Sequence, residues 1–276
     1  MTAILDDLDA RPGSTVSLLR TIIGLYLRRL GGWIAIADLV QLMDDLGVPA
    51  ARARTGVVRV KQKGLLIADR DAGIGYRLNP DAAGMLKRGD RRIFAVRQMA
   101  DDESWCLVSF SIPESHRDVR HQLRRRLQWI GCGVVSPALW ICPAYLSDEV
   151  QEILIDLGIR SYATVFLAEQ ILHEGTLKEA INQWWDLPRL RAEHLEFQKT
   201  IEPINRAVGV SERSAFSDYI RLVDAWRILP YVDPGLPASL LPDDWPGRKS
   251  ISDFMRLSDR LAEPAWMHVQ RSTELR

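Results

Sequence analysis

Residues 51–63 hold five cations (Arg52, Arg54, Arg59, Lys61 and Lys63) and no acid, between a Gly47-Val48-Pro49 turn and a Gly64 stop. A run this charged becomes a lasting helix only if its other positions supply an apolar face to bury. They do. Rotating each residue by about 100° puts Ala53, Val57 and Val60 on one side. Arg52, Thr55, Gly56, Arg59, Gln62 and Lys63 share the other. The spacing predicts a helix over 50–63, with Pro49 suited to its start and Gly64 to its end.

The flanking segments supply what that stripe packs on. A helix over 16–30 carries Leu18, Leu19, Ile22, Ile23, Tyr26, Leu27 and Leu30 on one wide face, and Gly31-Gly32 stops it. Residues 33–36 read as extended, and 38–46 as a second helix burying Leu39, Val40, Met43 and Leu46. Beyond Gly64, residues 65–68 and 76–78 read as strands around the loop Asp71-Ala72-Gly73-Ile74-Gly75. Helix, strand, helix, turn, helix, hairpin is the order of a winged helix-turn-helix.

A basic helix over 81–96 leads into a middle segment of different character. Strand 105–112, helix 114–130, a strand region 134–142, helix 148–157 and strand 162–167 make the skeleton of a ferredoxin-like domain. From about residue 176 the chain reads as helical, over 177–185, 187–204, 213–228 and 251–261, interrupted by a proline-rich stretch at 230–246. The expected fold is a multidomain α+β protein. Its parts are a winged helix with linker helix over 14–97, a ferredoxin-like domain over 98–175 and a helical domain over 176–276.

Thirty-six Lys and Arg balance 36 Asp and Glu, so partner preference has to come from local clusters. The hydrophobic share of 47% and charged share of 26% are globular values. No apolar run approaches the roughly 20 residues that span a bilayer. The start of the chain is acidic (Asp6, Asp7, Asp9), unlike a signal peptide, and three cysteines cannot all pair. These features lead us to expect a cytoplasmic protein away from membranes.

In helix-turn-helix proteins the second helix of the motif lies in the major groove, its N-terminal residues nearest the base edges. That makes Arg52, Thr55 and Arg59 candidate base or phosphate contacts, Arg54, Lys61 and Lys63 candidate backbone contacts, and Gln62 a further DNA-binding candidate on the same face. Gly56 would let the helix approach the groove floor, and Arg70 and Arg77 would reach the adjoining backbone or the minor groove from the wing. The alternative is a solvated basic face on an ordinary helix. A second cluster, Arg117, Arg120, Arg124 and Arg125 with His121 and Arg126, suits either an anionic ligand or salt bridges. Trp184-Trp185 reads as helix packing or as a holder for an aromatic acyl group. There is no GxSxG elbow, no glycine-rich phosphate loop and no HExxH, and the five histidines are scattered. We therefore expect no catalytic residue, no metal site and no cofactor.

The chain resembles the PaaX family, repressors of bacterial phenylacetate-degradation operons. The resemblance rests on Arg54-Thr55 and Arg59, Gly64-Leu65-Leu66, Tyr76-Arg77-Leu78, Leu139-Trp140, Trp185-Asp186-Leu187 and Trp226-Arg227. Its most distinctive runs are Asp233-Pro234-Gly235-Leu236-Pro237 and Asp243-Asp244-Trp245-Pro246-Gly247-Arg248. It implies a homodimeric repressor of an aromatic-acid catabolic operon, bound to double-stranded operator DNA and released by an aryl-coenzyme A thioester such as phenylacetyl-coenzyme A. The middle domain is also similar to the small CRISPR-associated endoribonuclease fold, whose first strand ends in a metal-binding aspartate. Here that strand reads Val108-Ser109-Phe110-Ser111-Ile112-Pro113, without an acid. Two readings stand beside the repressor: a nucleic-acid-processing enzyme on the ferredoxin-like domain, and a winged-helix scaffold that does not bind DNA. The wing loop, with Asp69 and Asp71, and the Gly56-Val57-Val58 run depart from the family pattern, so the operator and the inducing thioester are expected to differ.

Overall fold

The computed structural model describes residues 11–70, 73–207, 209 and 211–274. The acidic start at 1–9 and two loop residues, Asp71 and Ala72, lie outside them. In chain order the elements begin with α1 (Thr15–Ile22, prolonged by a π turn Ile23–Leu27), β1 (Trp33–Ala35), α2 (Ile36–Asp45) and α3 (Ala50–Gln62). There follow β2 (Leu66–Asp69), β3 (Gly75–Leu78), α4 (Ala83–Phe94), β4 (Trp105–Phe110), α5 (Arg117–Trp129), β5 (Gly133–Ser136) and β6 (Leu139–Pro143). The rest are α6 (Ser147–Asp156), β7 (Ala163–Ala168), α7 (Leu177–Trp184), α8 (Leu187–Arg206), α9 (Glu212–Trp226), α10 (Leu229–Val232) and α11 (Gly247–Glu274). The chain is a mixed α+β protein with two small antiparallel sheets. Contacts gather it into two units. One takes the described parts of 1–95, 197–228 and 249–276, the other 96–196 and 229–248. The C-terminal helices thus divide between the two, the boundary falling within α8.

In the first unit, Ser14 caps α1 by accepting the Ser17 N–H at 3.2 Å. The α3 stripe Ala53, Val57 and Val60 is buried to 1% exposure or less, together with Leu19, Ile22, Leu39 and Met43. The three-stranded sheet runs β1-β3-β2, with Ile34 opposite Tyr76 and Leu66 opposite Leu78. Later helices complete this core. Tyr26 stacks on Trp266 and meets Phe216, while Trp226 stacks on Phe254 at 4.7 Å.

The last helix corrects the expected 251–261. It continues through Pro264 to Glu274. A proline inside a helix removes one hydrogen bond and clashes with the turn before it. Here Leu261, Ala265 and Val269, spaced by four, are completely buried. That continuous apolar face outweighs the local penalty.

In the second unit the sheet order is β5-β6-β4-β7. The expected single strand region 134–142 is a hairpin, β5 and β6, turning between Ser136 and Leu139 with a bulge at Val134–Ser136. Side chains alternate along β4. Cys106, Val108 and Phe110 join Leu123, Leu127, Val150 and Leu154 under α5 and α6. Trp105 joins Ile141, Ile181, Trp185, Leu236 and Leu241 in a separate cluster. The proline-rich stretch is ordered by contacts with its own unit. Asp233 accepts the Gly235 N–H at 2.8 Å and pairs with His194 at 2.8 Å, and Tyr145 donates to the Pro234 carbonyl. Gly235, with φ +69°, lies so close to the Arg97 carbonyl that no side chain fits. Arg191 grips Asp244 through two nitrogens. The most distinctive runs of the sequence therefore serve packing and hydrogen bonding within this unit.

Candidate nucleic-acid interface

α3 starts after the Gly47-Val48-Pro49 turn and ends where Gly64 adopts φ +80°. Its buried positions are Ala53, Gly56, Val57 and Val60. Ala51, Arg52, Arg54, Thr55, Val58, Arg59, Lys61, Gln62 and Lys63 are exposed. Among the described residues, none of the four α3 cations, nor Lys63 at its C-cap, forms an ion pair. Arg52, Arg59 and Lys63 fall on one flank of the outward face, and Arg54 and Lys61 on the other. Thr55 turns its hydroxyl back to donate to the Ala51 carbonyl at 3.0 Å.

Gly56 is a correction. It does not face outward but against α1, where an added Cβ would sit 2.7 Å from Leu19 Cδ1 and 2.8 Å from Thr15 Cγ2. Its small size allows two helices to touch, not a helix to enter a groove. Val58, passed over in the sequence, is 47% exposed on the outward face. An exposed β-branched residue among cations was the available signal.

The hairpin places its two arginines differently. Arg70 is exposed with no ion pair among the described residues, whereas Arg77 is held by Asp69 at 2.6 Å. Arg77 nevertheless stays more than half exposed at its side chain.

The arginines of α5 belong to the second unit. Arg120 pairs with Glu114 at 2.6 Å, and Arg117 lies 4.0 Å from the same carboxylate. The Arg120 guanidinium holds the Glu114 carboxyl below the usual carboxylate range. Arg124 donates to the Pro137 carbonyl at 2.8 Å, and Arg125 is exposed. Trp185 is buried and donates from Nε1 to the Gly131 carbonyl at 2.8 Å. Trp184 is partly buried beside it, ring centroids 6.4 Å apart. α5 packs in the β4 cluster of Cys106 and Val108, and Trp184 and Trp185 in that of Trp105. Alternation along β4 makes these opposite faces of one sheet, so the arginines and the tryptophan pair are not brought together.

This is an α+β protein presenting a cationic helix whose charges are not ion-paired among the described residues. Residues 14–82 match the PaaX-like protein family, 98–180 the PaaX protein central Cas2-like domain, and 185–271 the PaaX-like protein C-terminal domain. The chain belongs to the PaaX family. It is 26% identical over 285 residues to the transcriptional repressor PaaX of Escherichia coli (strain K12), covering 99% of this chain and 88% of that protein. Its fold is similar to that of the uncharacterized protein Rv0674 from Mycobacterium tuberculosis. The TM-score is 0.58 at 20% identity, covering 94% of this chain and 100% of the other.

Proposed function

We propose that this protein is a DNA-binding transcriptional regulator, a repressor of an aromatic-acid catabolic operon of the phenylacetate type. The observation that carries the reading is α3 with its C-cap Lys63, which together present five exposed cations, no acid and no ion pair among the described residues. Such a surface is the electrostatic footprint of a phosphate backbone partner. The order α1-β1-α2-α3-β2-β3 and the paired hairpin support a winged helix-turn-helix, with α3 as the helix for the major groove. The order β4-α5-β5-β6-α6-β7 with strands arranged β5-β6-β4-β7 supports a ferredoxin-like middle domain. The E. coli relative, a transcriptional repressor, supports a role in regulation rather than catalysis.

Three finer elements belong to the same proposal. The protein acts as a homodimer in the cytoplasm, since one winged helix buries little surface for a specific operator complex. An aryl-coenzyme A thioester relieves repression by binding the DNA-free form better than the DNA-competent one. The arginines of α5 are the candidate phosphate holders, and the tryptophan pair belongs to a different face. The nuclease reading is less well supported, because the segment from Val108 to Pro113 carries no carboxylate for a metal.

The experiment is an operator titration with DNA from upstream of the neighbouring operon, with and without phenylacetyl-coenzyme A. Specific retardation, lost in Arg52→Ala/Arg59→Ala by about 1–3 kcal/mol per base contact, supports the reading. No retardation leaves the scaffold reading, and metal-dependent cleavage of the DNA leaves the enzyme reading. Release by the thioester but not by free phenylacetate supports the effector.

A further inference from the structure

The sheet of the second unit, β5-β6-β4-β7, treats its two edges differently. At one edge β5 is bulged between Val134 and Ser136, and α7 packs against it. The Trp185 ring closes on the same strand, where a Cβ on Gly133 would lie 2.7 Å from it. Bulges and covering elements are common protections of a strand edge. At the other edge β7 pairs with β4 along its whole length, and with no further strand among the described residues. Its sequence, Ala163-Thr164-Val165-Phe166-Leu167-Ala168, holds no charge, proline or glycine. Leu167 lies opposite Cys106 on the face of α5 and α6, and Phe166 opposite Leu107 on the other face. Yet Leu167 is 67% exposed and Phe166 52%. Apolar groups are thus bare on both faces, beside the row of backbone N–H and C=O groups that an edge strand presents. A short, neutral, apolar strand in that position is a template for another strand.

Charge decides which strand. Arg160 stands just before β7 and Glu169 directly after it, and both are exposed. A second copy of β7 laid antiparallel brings the Arg160 end of each strand alongside the Glu169 end of the other, twice over by symmetry. The neutral stretch between them meets itself without repulsion. A parallel copy would set like charges together. We infer that the edge of β7 is where this protein associates with a second copy of itself. The two β7 strands pair antiparallel, join two four-stranded sheets into one of eight, and cover Phe166 and Leu167 of both chains. Such an isologous contact closes on itself, so assembly stops at two. The inference deepens the dimer proposed above and rests on it for the second copy.

The test is sedimentation velocity on the full chain at micromolar concentration, without DNA, with circular dichroism reporting the fold. The wild type sediments as a dimer. Phe166→Lys/Leu167→Lys changes two exposed side chains, sets like charges across the pairing, and sediments as a folded monomer. Glu169→Arg weakens the dimer severalfold, and adding Arg160→Glu restores it, as the antiparallel arrangement requires. If the lysine variant does not fold, crosslinking decides. Across a two-fold axis a residue meets its own copy, so one of Thr164→Cys, Val165→Cys, Phe166→Cys and Leu167→Cys forms an intermolecular disulfide. The three native cysteines are buried and do not compete. A lysine variant as dimeric as the wild type, or no disulfide at any of the four positions, overturns this surface and leaves the dimer to another interface. A monomeric wild type overturns surface and dimer together and gives the edge to a partner of another kind. The DNA reading then stands or falls separately, by the operator titration.

Discussion

Asp224 on α9 accepts the hydroxyl proton of Ser17 on α1 at 2.6 Å, across 207 positions of sequence. The same carboxylate accepts from Thr21 Oγ1 at 3.0 Å and from the Gly13 N–H at 2.6 Å. Arg227 reaches both Asp224 and the Ser17 oxygen, and all of Ser17, Asp224 and Arg227 are buried. Removing one partner of a buried, hydrogen-bonded ion pair leaves the other charge stranded, typically at about 3–5 kcal/mol. Asp224→Ala should lose about that much stability in urea denaturation, measured without DNA. A loss below about 1 kcal/mol would mean that water takes over the role of the carboxylate.

Gly56→Ala separates two roles for one residue. A methyl there meets Leu19, which is completely buried, and Thr15. Overpacking typically costs about 1–3 kcal/mol, while Ala gains about 1 kcal/mol of helix propensity over Gly. Packing wins because Leu19 has no space to retreat into, so the melting temperature should fall in the absence of DNA. An unchanged or raised melting temperature with weaker operator binding would return Gly56 to the groove.

How far the sequence could be read depends on how local each feature is. Ala53, Val57 and Val60 were legible as a buried stripe because a helical period is a local property. Gly56 was not, since it lies at the edge of that stripe and only the position of α1 decides its side. The Asp224–Ser17 contact joins segments whose spacing follows no period. The extension of α11 past Pro264 depends on a partner surface that covers Leu261, Ala265 and Val269, whereas the proline itself reads as a stop. In the middle unit, β4 is buried on both sides, so hydrophobic pattern alone cannot assign α5 and Trp185 to opposite faces. Within the candidate interface the cations were legible and the pairing of Arg77 with Asp69 was not, because only the register of β2 on β3 brings those two side chains together.

Trp185→Phe tests whether that ring is core or ligand platform. The substitution removes the Nε1 donor to the buried Gly131 carbonyl. An unsatisfied buried acceptor costs about 1–3 kcal/mol, so stability should drop by that order. Calorimetry with phenylacetyl-coenzyme A supplies the contrast. Weaker thioester binding at undiminished stability would make Trp185 part of a pocket.

Cys106 and Cys142 face each other across β4 and β6, both almost completely buried. The hydrogen bond its thiol makes to Cys142, and then burial, push the Cys106 thiol far above the ordinary range. The thiolate is the reactive form, so raising the pH to about 8.5 should not expose Cys106 to alkylation. Cys132 is buried as well. Iodoacetamide should modify none of these three thiols in the native protein and all of them in urea, read by intact mass. Native labelling of Cys106 or Cys142 would show that the sheet opens on the timescale of the reaction.

Val58 is expected to read a thymine, if α3 enters the major groove as proposed. It is 47% exposed, on the same outward face as Ala51, Thr55 and Gln62 and flanked by cations on both sides. The cations suit phosphates and guanine, whereas an exposed isopropyl group suits the thymine methyl, the one apolar mark in the major groove. Burying one methyl is worth about 0.8 kcal/mol, or roughly a fourfold change in affinity. Replacing thymines of the operator one at a time by uracil removes that methyl and leaves every hydrogen-bonding edge intact. Wild-type affinity should fall about fourfold at one position in each half-site. Val58→Ala should start from a similarly weakened affinity and ignore the same replacement, so that the two changes together cost little more than either alone. Equal losses in both proteins at every thymine would assign the sequence reading to the arginines and leave Val58 outside the contact.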